Sequence, residues 1–315
     1  MASTTPVTVP RPRDTTPRSR GGGRPAKRLQ LRPSGLPWIL PALVLVVGLL
    51  YYCIGYTGYI STLTWNGTDI EKLHVGLANY VAALQDPVFW KALFHTVVYF
   101  VTTFVIQTAL GVFFALLLHS RVRLGALYKI ILFVPVVLAP AVMAPVFRQV
   151  FAADGQFNFV LDHIGLSSLA QPWLAQSSTA LPVIMSITIW EWTGLTFILY
   201  YAAMGQIEPE MLEAARLDGA GNGRVLWSII WPSLRGTTTA LLMLSAISAL
   251  KTFDIPYLVT VGGPNYSTEF LGTLIYRQSI PQSNVGYGAA LSILLLILAL
   301  GLAIVLQLVG RERKN

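Results

Sequence analysis

The stretch that decides the reading of this chain is Gln206-Ile-Glu-Pro-Glu-Met-Leu-Glu-Ala-Ala-Arg-Leu-Asp-Gly-Ala-Gly-Asn-Gly-Arg-Val-Leu-Trp-Ser-Ile-Ile-Trp-Pro-Ser-Leu-Arg-Gly236. It is a charged island between two apolar runs. Pro209 suits the first turn of a helix, where its missing N–H costs nothing. Glu208, Glu210 and Glu213 favour the positive N-terminal end of that helix. Met211, Leu212 and Ala215 give it an apolar stripe. Leu217-Asp218-Gly219 reads as a helix stop, with Gly219 free to take positive φ. A second short helix is expected from about Gly223 to Trp231, ended or kinked by Pro232. The segment 206–236 is therefore two short helices joined by a glycine turn. Ala214, Ala215 and Ala220 are small enough to let a partner surface come close.

The flanks of this island are apolar, and so is most of the chain. Of 315 residues, 54% are hydrophobic and only 11% are charged, against about 25% charged in an ordinary soluble domain. Mean hydropathy is +0.60. A soluble core of this size needs a far more polar shell, and disorder over most of the chain needs low hydrophobicity; both are excluded. The runs Pro33 to Thr68, Ala92 to Ser120 and Ile130 to Phe147 carry no Asp, Glu, Lys or Arg, and Ile164 to Ile207 carries only Glu191. Gly236 to Leu250 and Gln278 to Gly310 are also free of them. A spanning helix needs about 20 mostly apolar residues. The expectation is an all-α, polytopic membrane protein of six transmembrane helices, at about 36–60, 92–119, 124–147, 179–204, 236–258 and 287–310, within a domain 36–311. The strands of an outer-membrane barrel would alternate, and these runs do not. Pro135, Pro140 and Pro145 predict a broken third helix.

The basic residues orient the spans. Residues 1–35 hold Arg11, Arg13, Arg18, Arg20, Arg24, Lys27, Arg28 and Arg32 against the single acid Asp14. The positive-inside rule keeps this tail in the cytoplasm. With six spans the C-terminus, including the short 312–315 tail, is cytoplasmic too, in agreement with Arg311, Arg313 and Lys314. Arg121, Arg123 and Lys129, and then Arg216, Arg224 and Arg235, also fall inside. Only Lys72, Lys91, Arg148, Lys251 and Arg277 fall outside or near the outer ends. The net charge of +8 is thus mainly a topology signal. The tail, rich in Pro, Thr, Arg and Gly, reads as disordered. It has no aromatics to stack on bases, and basic juxtamembrane segments meet anionic lipid, so no nucleic-acid partner is expected. The apolar run behind it is too long for a cleavable signal peptide. The single Cys53 excludes an internal disulfide and a Cys-rich metal site.

The 206–236 segment resembles the EAA loop of binding-protein-dependent ABC-transporter permeases, in Glu213-Ala214-Ala215, Asp218-Gly219-Ala220, Ile230 and Trp231-Pro232. Trp231 stands where the family has leucine, and Ile207-Glu208-Pro209 stands where it has Ile-Pro. Asp86-Pro-Val-Phe-Trp90 with His95-Thr96, Phe133-Val-Pro135 with Pro140, and Phe253-Asp254 through Gly262-Gly263-Pro264 to Thr268 resemble the carbohydrate-uptake branch, the maltose and glycerol-phosphate type. That branch usually has Asn where His95 stands. The likeness covers about residues 36–310 and is to the larger, first-type subunit of the usual pair.

The resemblance implies a type I ABC importer permease fold and a translocation path for a sugar or sugar-like solute; glycerol-phosphate esters are the alternative within the family. It implies ATPase subunits, two copies, with ATP and Mg on them, a second permease subunit and an extracytoplasmic substrate-binding protein, with the chain in a bacterial plasma (inner) membrane. No cofactor is expected on this chain, which has no Gly-x-x-x-x-Gly-Lys-Ser/Thr phosphate loop. Glu213, Ala214, Ala215, Asp218, Gly219, Ala220 and Pro232 are then the ATPase-coupling residues. On the residues alone, an amphipathic helix lying on lipid is an equal reading of the loop.

Glu191 is the one acid deep within a span, between Trp190 and Trp192. A mid-membrane charge costs about 2.5–3.5 kcal/mol even on the mild insertion scale, so Glu191 faces a bundle interior or a wet cavity. The first reading is a hydrogen-bonded or protonated acid between helices; the second is a sugar site, with Trp190 and Trp192 as aromatic faces. Neighbours on one helix point about 100° apart, so both indoles cannot share the direction of Glu191. Lys251 and Asp254, three apart, can pair on one helical face and line the outer path, or simply end the fifth span. Gln107 reads as an interhelical hydrogen-bond donor, His119 as a snorkelling group, and His95, with no partner His, as a poor metal ligand. Neither Asn66-Gly-Thr68 nor Asn265-Tyr-Ser267 is given weight as a glycosylation site. A stand-alone secondary transporter would show internal repeats and buried ionisable relays. An intramembrane enzyme would show a nucleophile–base pair or metal ligands. Neither pattern is present.

Overall fold

A computed structural model describes residues 36–119 and 123–312, with side chains described from 38 to 308 within those limits. The expected tail 1–35, Arg121, Arg313 and Lys314 lie outside the described residues. The chain divides into two units, 1–51 and 52–315. In the first, residues 38–51 are helical and exposed throughout, from Trp38 to Tyr51. They belong to helix α1 (Leu36–Ile60).

The second unit continues from residue 52. A two-stranded antiparallel ribbon, β1 (Leu63–Thr64) and β2 (Leu73–His74), follows, with Leu63 opposite His74. This is the one departure from an all-helical fold among the described residues. Next come α2 (Ala78–Gln85), α3 (Pro87–His119), α4 (Gly125–Val137), α5 (Pro140–Val150) and α6 (Gln156–His163). Then follow α7 (Ala180–Met204), α8 (Pro209–Leu217), α9 (Asn222–Val225), α10 (Trp231–Ser233), α11 (Arg235–Leu250), α12 (Asp254–Thr260), α13 (Leu271–Ser279) and α14 (Val285–Glu312).

Among the described residues, four helices are long and apolar enough to cross a membrane: Trp38–Ile60, Pro87–His119, Ala180–Met204 and Val285–Leu308. Two more candidates are bent pairs, α4 with α5 at 98° and α11 with α12 at 44°, so the count reaches six if each pair is one span. Both bends have a proline cause. Leu138 and Ala139 are extended, at ψ 132° and 136°, because the ring of Pro140 disfavours helix in the residue before it. Pro135 and Pro145 are absorbed within α4 and α5. In the other pair, Pro256 would drive its ring against the carbonyl of Thr252 if the helix ran through, and the chain breaks at 251–253. The expected straight run 236–258 is therefore two helices.

Helix α3, 33 residues long, extends about 50 Å, well beyond a hydrocarbon core of about 30 Å. Its buried stripe includes Ala92, Thr96, Tyr99, Thr103, Gln107, Gly111 and Ala115, at spacings of three and four, and packs mainly on α7. Small residues set the closeness of that contact. A Cβ at Gly111 would meet Thr196 and the backbone of Phe197, and one at Gly194 would collide with the carbonyl of Leu132 on α4. Asp86 caps α3 by accepting from the Val88 N–H at 2.8 Å, and also accepts from Tyr287 Oη on α14 at 2.9 Å.

Candidate coupling loop and translocation site

Helix α8 begins with Glu208 at the cap and Pro209 in the first helical position, and buries no residue. Its end is closed by a pair of hydrogen bonds. Ala220 N–H reaches Ala215 O at 2.9 Å and Gly219 N–H reaches Arg216 O at 3.1 Å, the Schellman arrangement. Gly219 takes φ +77° with open space where a Cβ would stand, so glycine is required here by backbone conformation alone. Leu212 and Ala215 are half-buried, while Glu210, Glu213, Ala214 and Leu217 are exposed. Those four positions recur at i, i+3, i+4 and i+7, one face of the helix. Leu217 is 89% exposed. Asp218 is exposed, and Ala220 and Pro232 are half-buried.

The second helix of the loop differs from its expectation. It starts at Asn222, opens into a π turn over Leu226–Ile230, and resumes through Pro232 to Ser233. Trp231 N–H bonds back to Leu226 O. A proline cannot donate to the carbonyl four residues back, and a single π turn just ahead of it re-sorts the ladder without ending the helix. Trp231 packs with Ile230 against the buried Tyr200, Met204 and Leu234, so the indole fills an apolar place. A cavity of about 510 Å³ lies under α8, between Leu212 and Arg216 on one side and Leu116, His119 and Met204 on the other.

At mid-length of α3 and α7 lies a polar cluster. Tyr99 Oη donates to Thr188 Oγ1 at 3.1 Å, and Gln107 Nε2 donates to Thr188 O at 3.1 Å; Gln107 is the interhelical donor it was expected to be. Glu191, one turn further along α7, is 4% exposed. Its neighbours Trp190 and Trp192 are 46% and 41% exposed, and Trp190 meets the Phe147 ring edge-on at 5.3 Å. The acid is thus enclosed and the two indoles are not. Lys251 and Asp254 are exposed, and neither makes an ion pair among the described residues. Of the two readings of these residues, pairing on one helical face is not realised, because the helix ends between them: α11 stops at Leu250 and α12 starts at Asp254.

Arg277, one of the outer-end charges, pairs with the buried Glu269 at the end of the bundle opposite α8. Glu269, fully buried, accepts from Arg277 Nη2 at 2.7 Å. The same nitrogen donates to Val261 O at 2.7 Å. His95 Nδ1 lies 3.0 Å from Glu269 O, which ties this loop to α3.

With this geometry in hand, comparison with known proteins is decisive. Residues 107–314 match the family described as "Binding-protein-dependent transport system inner membrane component". The chain belongs to that family. Among its relatives, the probable ABC transporter permease protein YurN of Bacillus subtilis (strain 168) is 31% identical over 85% of this chain and 92% of its own. The trehalose/maltose transport system permease protein MalF of Thermococcus litoralis is 32% identical over 89% of this chain and 95% of its own. The fold matches a crystal structure of a bacterial ABC transporter involved in the import of the acidic polysaccharide alginate. There the TM-score is 0.75 and the identity 20%, over 90% of this chain and 99% of that one. This permease is accordingly a multi-pass inner-membrane transport subunit and not an enzyme.

Proposed function

We propose that this permease conducts a sugar or sugar-like solute inward through six spans, with both termini cytoplasmic, and takes its driving force from a separate ATPase docked on α8. The observation that carries the reading is α8 itself. It is a short helix that buries nothing, ends on a tight glycine turn and presents Glu210, Glu213, Ala214 and Leu217 outward. Such a rigid element can transmit force between bodies that have two discrete arrangements. Pairs of ATPase subunits carrying ATP and Mg, a second permease and an extracytoplasmic binding protein complete the machine. The sugar class is supported by the trehalose/maltose relative.

The test is import into proteoliposomes holding the permease pair and ATPase, with the binding protein inside or outside as required. Gly219→Val forces a β-branched residue to positive φ, at about 1–2 kcal/mol. It is expected to cut ATP-driven import at least ten-fold while insertion into the membrane is unchanged. Normal coupling of ATPase to import in that variant would overturn the docking role.

Glu191 belongs to the proposed path, since a buried acid one helical turn from Thr188, which Tyr99 and Gln107 contact, can accept hydroxyl hydrogen bonds. Glu191→Gln keeps the shape and removes the charge. It is expected to lower import several-fold with subunit assembly normal, as read by uptake and by gel filtration of the purified complex. Unchanged uptake would assign Glu191 to helix contacts only.

A further inference from the structure

Helix α4 carries an apolar groove of about 450 Å³, lined by Ile130, Phe133, Val134, Val137 and Leu138 with Ile198 of α7, and with Lys129 in its lining. We propose that this groove seats one acyl chain of an anionic phospholipid of the cytoplasmic leaflet, with the lipid phosphate on Lys129. The proposal rests on the topology given above, which puts the N-terminal end of α4 at the cytoplasmic face.

Three observations fit this occupant. The first is the charge: Lys129 makes no ion pair among the described residues. Its ammonium is held 3.8 Å over the ring of Tyr201, a neutral partner that fixes the position of the cation and leaves its charge uncompensated. The second is length. From Lys129 to Leu138 is nine residues of rise, about 14 Å, close to the depth of one leaflet in a hydrocarbon core of about 30 Å. The groove ends at Leu138, where the chain turns through 98° into α5. The third is lining. Ile130, Val134 and Val137 are exposed, and every lining residue except Lys129 is hydrophobic, so a hydrocarbon chain needs no polar partner along the way. One lysine near an anionic membrane surface contributes about 1 kcal/mol of attraction to an anionic headgroup.

The test uses the intact transporter, stripped of lipid in detergent and titrated with phosphatidylglycerol or phosphatidylcholine, with bound lipid counted by native mass spectrometry. Wild type is expected to retain phosphatidylglycerol over phosphatidylcholine. Lys129→Gln is expected to weaken that retention about five-fold, the factor one basic residue near an anionic surface contributes, and Lys129→Arg to preserve it. Val134→Trp, at a half-exposed position, fills the groove and is expected to remove one bound phosphatidylglycerol, which keeps the test sound if Lys129→Gln fails to assemble. Equal retention of the two lipids, or no change in either variant, overturns the proposal. So does efficient cross-linking of Val134→Cys to the second permease, which would make the groove a subunit interface. Labelling of Arg123→Cys in a Cys53→Ser background in sealed vesicles tests the topology apart from lipid binding: access from the cytoplasmic side supports the leaflet assigned, and access from the other side alone overturns the proposal even where phosphatidylglycerol is retained.

Discussion

Leu217→Asp is expected to reduce ATP-driven import by at least about thirty-fold and to release the ATPase from the purified complex. Leu217 is 89% exposed at the last turn of α8. On docking, a leucine driven from water into an apolar pocket gains about 2 kcal/mol. A carboxylate in the same pocket loses that gain and must also be desolvated. Two kcal/mol alone is about thirty-fold in affinity. The permease itself should hardly notice, because α8 buries no residue and surface substitutions of this sort stay within about 0.5 kcal/mol. The measurements are uptake, ATPase co-purification and the thermal midpoint of the permease pair. An unchanged midpoint with lost co-purification is the expected combination. Retained co-purification would place the ATPase contact elsewhere than on this face of α8.

The parts of the molecule that could be read in advance are those governed by local chemistry. Four long apolar runs, one of them carrying Glu191, became four long helices because each run is long enough to cross a bilayer. The turn at Gly219 was legible because φ +77° is a conformation glycine adopts freely and other residues resist. The break before Pro140 was legible for the steric reason given above, but its angle of 98° is set by what α4 and α5 pack against, and no residue in 135–145 encodes that. Pro256 is the residue that marks the second break. Pro232, read as an end or a kink, lies one residue before the helix end at Ser233; the π turn over Leu226–Ile230 just ahead of it is the part that the sequence does not announce. In the candidate path, the pairing of Lys251 with Asp254 assumed an unbroken helix. The burial of Glu191 was expected from its depth, whereas the exposure of both indoles depends on which helices lie beside α7. No periodicity links Glu269 to Arg277, which lie in a loop and in α13; only the tertiary fold brings them together.

That pair supports the second large effect. Glu269→Ala is expected to lower the stability of the purified permease by about 2–3 kcal/mol. Removing one member of a buried ion pair costs about 3–5 kcal/mol; the lower figure applies because the Arg277 side chain is 28% exposed and water can reach part of it. The loss is more than the pair alone. Arg277 also holds Val261 O, and Gly262, at φ +79°, lies so close that a Cβ would collide with Glu269 Oε2 and Arg277 Nη2. Glu269 O in turn faces His95 on α3, and the next residue, Phe270, packs edge-on against Tyr99 at 5.2 Å. Pair, loop and polar cluster therefore share one set of contacts, so effects at Glu269 and Tyr99 should not be additive. Two further variants separate charge from shape. Arg277→Lys keeps the charge but replaces a planar donor with a point charge, and should cost roughly half as much as Glu269→Ala. Glu269→Leu combined with Arg277→Met removes both charges, and apolar replacements of a buried pair are often neutral or stabilising. That double variant should recover most of the thermal midpoint lost by Glu269→Ala. A single variant as stable as wild type would mean that the loop is held by Gly262 and Phe270 without the ion pair; a double variant as weak as the single one would mean that the charge pairing itself is what stabilises the loop.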